Sequence, residues 1–118
     1  VEWTLIQMPT FASRWRSEKL TDEDLQALES AIMRDPSAHA VMRGSGGLRK
    51  VRYAPPSRGK GKSGSMRVGY AQFPKYDLIV LVTLFLKKNE DNLDAAARNG
   101  IKAVLNRIGE RLRSGAQP

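Results

Sequence analysis

Leu48-Arg49-Lys50-Val51-Arg52-Tyr53 and Met66-Arg67-Val68-Gly69-Tyr70 flank the stretch Pro56-Ser57-Arg58-Gly59-Lys60-Gly61-Lys62-Ser63-Gly64-Ser65. Both flanks repeat with a period of two. Val51 and Tyr53 point one way while Lys50 and Arg52 point the other; Met66, Val68 and Tyr70 share a face and Arg67 lies opposite. The reading is two half-buried strands joined by a glycine-rich loop. Gly61-Lys62-Ser63 imitates the end of a phosphate-cradling P-loop, but that motif needs its first glycine at residue 56. Pro56 stands there, with no N–H to donate, and a strand-like segment follows where a helix is required. Gly44-Ser45-Gly46-Gly47 fails as a dinucleotide fingerprint for the same reason, since it leads into a strand. No nucleotide cofactor is expected.

Working outward, residues 2–8 alternate loosely and suit a first strand. Pro9 opens a short helix running to about Lys19, with Phe11 and Trp15 on its buried side. Thr21-Asp22-Glu23-Asp24 reads as the capped start of a second helix, striped by Leu25, Leu28, Ala31 and Ile32 and stopped by Asp35-Pro36. Leu78–Leu86 is apolar on both faces and predicts a central strand, reached through a turn at 73–77. Asn92 is expected to cap a last helix carrying Leu93, Ala97, Ile101, Val104, Leu105, Ile108 and Leu112, with Gly100 as an interruption. The predicted order is β-α-α-β-β-β-α. That is an α+β fold, an antiparallel sheet with helices on one side, forming a single domain over 1–118.

Composition narrows the function. The chain has no cysteine, which excludes disulfides, thiolate metal sites and a cysteine nucleophile. Its nine-residue apolar run is too short to cross ~30 Å of hydrocarbon as a helix. Residues 1–20 carry no basic region followed by a long apolar stretch, so a cytoplasmic protein is expected. Twenty Lys and Arg against twelve Asp and Glu leave a net charge of +8. Between Asp35 and Asp77 there is no acidic residue, while nine basic ones crowd the interval. So long a run without counter-charge points to a nucleic acid.

Cleavage of RNA by its own 2′-OH needs proton removal there, charge stabilisation at phosphorus and protonation of the leaving 5′-oxygen. A histidine pair is impossible because His39, in the linker 37–43, is the sole histidine. No close carboxylate cluster suggests a metal site. Clustered cations remain: they stabilise a dianionic transition state and depress one another's pKa. Such a site needs an external device to hold the RNA in line.

The segments "GSGGLRKVRYA", "RGKGKSGSMRVGY" and "KKNEDNL", preceded by "LTDEDLQAL" and "RDPSAHAVM", closely resemble the HigB branch of the RelE-like toxins of bacterial toxin–antitoxin modules. The resemblance implies a ribosome-dependent mRNA endonuclease, an mRNA interferase acting at the decoding site. Its expected partners are the ribosome, mRNA and a HigA-like antitoxin with a DNA-binding domain; no membrane, metal or cofactor is expected. Carried over residue by residue, it implies Arg52, Lys62, Arg67 and Lys88 as the catalytic group. Arg49, Lys50, Arg58 and Lys60 would hold message or ribosomal RNA, and Asn89 and Glu90 would form a helix-entry turn. Two alternatives stay open: a non-catalytic RNA-binding inhibitor of translation, and a gyrase poison like the related ParE toxins.

Overall fold

The computed structural model describes residues 2–58 and 66–115, the side chains of 90–92 excepted. Among these, β1 (Thr4–Gln7), β2 (Arg49–Tyr53), β3 (Met66–Phe73) and β4 (Leu78–Leu86) form one sheet in the order β1-β4-β3-β2. The helices are α1 (Pro9–Ser17), α2 (Asp22–Arg34) and α3 (Ala95–Arg113). Class and element order are those the sequence predicts. β2, β3 and β4 make an antiparallel meander, whereas β1 joins β4 in parallel, with Thr4 opposite Leu78 and Gln7 opposite Leu81. The sheet is therefore mixed.

The expectation of helices on one side is corrected. α1 and α2 bury Phe11, Trp15, Leu28 and Ile32 against Val51, Tyr53, Met66, Val68, Tyr70, Ile79 and Leu81. α3 lays Leu105 and Ile108 on the opposite face, over Leu48, Ala71, Leu78, Val80 and Val82. The physical reason is β4 itself. A strand with apolar side chains on both faces needs a covering layer on each.

A β-bulge divides β4. Gly69 pairs with Thr83 and Tyr70 with Leu81, so Val82 is the extra residue. Up to Val82, even-numbered side chains face α3; beyond it, Leu84 and Leu86 belong to the α1/α2 core and Phe85 crosses over to lie opposite Arg67. The chain is tight here: a Cβ on Gly69 would come 2.9 Å from the Thr83 Cγ2 and 3.1 Å from Leu48.

Helix ends follow local chemistry. Thr21 caps α2 in a reciprocal capping box, accepting from the Asp24 N–H at 3.1 Å while the Asp24 carboxylate accepts from the Thr21 N–H at 3.0 Å. Such a cap is worth about 1 kcal/mol. The cap of α3 is Asp94, which accepts from the Ala97 N–H at 2.9 Å, and not Asn92 as the sequence suggested. Residues Lys87–Asn92 instead form tight 3-10 turns that postpone the helix.

Candidate nucleic-acid interface

Alternation on β2 and β3 sets the site. Burial of Val51 and Tyr53 under α1 and α2 turns Lys50 and Arg52 to the α3 side, and burial of Met66, Val68 and Tyr70 does the same for Arg67. Register brings them together: Arg52 pairs directly with Arg67, and Arg67 with Phe85. Side chains so opposed lie about 5 Å apart at Cβ. A cross-strand row Arg52–Arg67–Phe85 results, with Lys50 one row inward opposite Gly69. Arg52 is exposed; Arg67 is only 6% exposed, enclosed at the centre of the row. Like charges directly opposite destabilise a sheet. Two arginines at directly paired positions concentrate positive charge where an anion is electrostatically welcome, and the Arg67 Nη1 also donates to the Met66 carbonyl at 3.3 Å.

The other predicted residues fall at different distances from this row. Lys88 is exposed, two residues beyond Leu86, whose partner Met66 adjoins Arg67; it therefore stands at the same end of the sheet. Arg49 is tied elsewhere, donating from Nη1 to the carbonyls of Ser37 at 3.1 Å and His39 at 2.5 Å. It acts as a strut for the linker between α2 and β2. Arg58 donates to the Glu18 carbonyl at 2.6 Å and to its carboxylate at 2.9 Å, on the α1 side of the sheet. Lys60 and Lys62 lie outside the described residues.

A buried carboxylate holds the root of the glycine-rich segment. Asp24 is wholly enclosed and accepts from the Ser57 N–H at 3.0 Å and from the Ser57 hydroxyl at 2.6 Å. Burial alone would raise its pKa, but hydrogen bonds from Ser57 and Thr21 outweigh that and hold it below the ordinary carboxylate value. The Tyr53 hydroxyl donates to the Asp24 carbonyl, and burial together with the Asp24 charge pushes Tyr53 up to about 12. The end of β2 is thus stitched to α2 immediately before residue 59.

His39 has a structural task. The Tyr70 hydroxyl donates to the Pro36 carbonyl at 2.6 Å, so the 3.0 Å contact with His39 requires the imidazole Nδ1–H to be the donor. Burial raises the Tyr70 pKa, with Arg49 opposing. Among the described residues no three His, Cys, Asp or Glu side chains gather as metal ligands.

Sequence reasoning missed Arg14. Its Nη1 donates to the Leu84 carbonyl at 2.9 Å and the Thr83 hydroxyl at 3.1 Å, covering the edge of β4 beyond the point where β1 ends. Beside it a cavity of about 540 Å³ lies between α1, β4 and α3, lined mostly by apolar side chains with Arg14 and Glu18 as its charged members among the described residues. Nothing in the exposed face of α1 distinguishes Arg14 from Arg16, so no sequence signal marked it.

The fold is RelE-like. A solved structure of a double mutant of the E. coli toxin RelE in the free state matches with a TM-score of 0.54 and 16% sequence identity. The match covers 83% of this chain and 98% of the toxin. No protein-family profile matches the sequence. Among the described residues no helix is long and apolar enough to cross a membrane.

Proposed function

We propose that the chain is a ribosome-dependent mRNA endonuclease of the HigB type, the toxin of a type II toxin–antitoxin module acting in the bacterial cytoplasm. The observation that carries this reading is the Arg52–Arg67 pair, set side by side on the sheet of a RelE-like fold. The cleavage is attack of the 2′-oxygen on the adjacent phosphorus: the 2′-O–P bond forms as the P–O5′ bond breaks, the 2′-hydroxyl gives up its proton and the departing 5′-oxygen takes one up. Arg67, enclosed and fixed, stabilises the charge that develops on the phosphoryl oxygens. Arg52 binds the same phosphate from the solvent side, and Lys50 and Lys88 extend the field along the message. The ribosome holds the mRNA in line, supplying the alignment that a shallow cationic face does not. Lys62 and Lys60 add charge from the glycine-rich segment. A HigA-like antitoxin is the neutralising partner.

The test is a translation reaction with purified protein, the message being mapped by primer extension. Breaks in phase with codons, present with the native protein and absent with Arg67→Ala, are expected. Intact message with translation blocked would replace the reading by a non-catalytic RNA binder. Intact message with altered DNA supercoiling would replace it by a gyrase poison.

A further inference from the structure

The cationic row has a neighbour that the β-strands do not supply. α3 shows its two flanks to different surroundings. Ala97, Gly100, Ile101 and Val104 line the cavity beside α1. The other flank turns toward β2 and β3: Lys102 lies against the loop that feeds β2, so that a Cβ on Gly46 would stand 3.0 Å from the Lys102 Cα. Gly46 has φ +75, and only a residue without a side chain fits both that angle and that contact. Arg98 precedes Lys102 by one helical turn and therefore shares its flank. It is half-buried, at the end of α3 that follows β4 in the chain.

We infer that Arg98 and Lys102 form the second wall of a trough for single-stranded RNA, whose first wall is Lys50 and Arg52 and whose floor is Arg67. This rests on the reading of the face as an RNA site. The chemistry is phosphate tracking by cations on two elements. Two features argue against a merely solvated flank. Among the described residues no carboxylate pairs with Arg98 or Lys102. Arg98 also sits in the first turn of α3, where the helix dipole disfavours a cation.

The experiment is fluorescence anisotropy with a labelled single-stranded RNA across a salt series, comparing native protein, Arg98→Gln/Lys102→Gln, each single variant, and Arg107→Gln. Arg107 is exposed and lies nine residues beyond Arg98, on the opposite side of the helix, so it removes one charge at a remote place. The double variant should bind on the order of tenfold more weakly at low salt, with the log–log salt slope flatter by about 1.4, two phosphate contacts for single strands. Arg107→Gln should stay within about twofold of native. Lys102 is exposed, so Lys102→Gln alone carries the test if Arg98→Gln does not fold. Cross-linking of thiouridine-bearing RNA to the α3 peptide in native protein is a second readout.

Equal affinities for the double variant and Arg107→Gln overturn the trough, as does native protein that fails to bind RNA at low salt. Cleavage is not read in this assay. Absence of cleavage in translation with a selective affinity loss here would sink the endonuclease and leave the trough standing. Cleavage with no selective loss would do the reverse.

Discussion

The two faces of the sheet are built on opposite principles. Toward α1 and α2 the side chains are large, apolar and enclosed, and the tyrosine hydroxyls at that interface reach backbone carbonyls: Tyr53 to Asp24 and Tyr70 to Pro36. Toward α3 the apolar contact ends near Leu48 and Val82; beyond Leu48 come Lys50 opposite Gly69 and then the row Arg52, Arg67 and Phe85. The same strands serve both faces. Each apolar residue locked under α1 and α2 aims the basic residue beside it at the other side. Apolar burial and basic charge are thereby separated across the thickness of one sheet.

That separation can be broken from the apolar side first. Phe11 is fully buried and stacks on Trp15 with centroids 5.5 Å apart. Phe11→Ala should cost about 3–5 kcal/mol, read as a shift of the urea midpoint, while RNA affinity per folded molecule stays unchanged. A comparable loss of affinity in the folded fraction would show that the faces are not independent.

From the cationic side the expected pattern reverses. Arg67→Ala should lower single-turnover message cleavage on programmed ribosomes by about 10²–10³-fold, the scale of losing one transition-state donor. Its unfolding midpoint should move less than that of Phe11→Ala, because the like charge of Arg52 stands at the directly paired position. Arg52→Ala, at an exposed position, should raise KM more than it lowers kcat.

The contrast between the faces also marks what could be read in the sequence. β4 was legible to the residue and the alternating part of β3 from Met66 to Tyr70 was visible, because alternation and a bounded apolar run are local signals. The bulge was not: Leu78–Leu86 is apolar throughout, so no break of period betrays the extra residue at Val82. The parallel entry of β1 was equally silent, since it is decided by contacts some seventy residues away along the chain. At the site, alternation correctly put Lys50, Arg52 and Arg67 on one side. It did not show that Arg49 and Arg58 are engaged, because their acceptors include backbone carbonyls, which every residue carries. Arg98 was hidden by its place within the apolar stripe of α3, between Ala97 and Ile101.

The seam joining the two regions offers a smaller effect with a pH signature. Asp24 keeps a lowered pKa, so its contribution is complete above the ordinary value of 3.8 and fades as pH falls through the lowered one. Tyr53 is raised from 10.0 to about 12, so its neutral form stabilises the fold fully below 10 and that contribution is lost as pH rises from 10 towards 12. Asp24→Asn should cost about 1.5–3 kcal/mol at neutral pH, the value of hydrogen bonds to a charged acceptor. It should also move the Tyr53 phenolate absorbance step to lower pH by removing the charge, while burial keeps it above 10.0. A step that stays put would mean that Asp24 does not act on Tyr53 through its charge.

The least effect is expected at the edge of that seam. Glu18 and Arg58 pair at 2.9 Å with side chains 32% and 28% exposed, so solvent screens them and Glu18→Gln should change stability by no more than about 1 kcal/mol. The functional consequence runs the other way. Freed from the carboxylate, though still within reach of the Glu18 carbonyl, Arg58 becomes available to a phosphate. RNA affinity should hold or rise slightly, with a steeper salt slope. Arg58→Gln should leave affinity unchanged if the guanidinium is fully committed to α1 and lower it if RNA competes for it. Measuring both variants in one salt series therefore decides whether the cationic surface stops at the α3 face or continues around the end of the sheet.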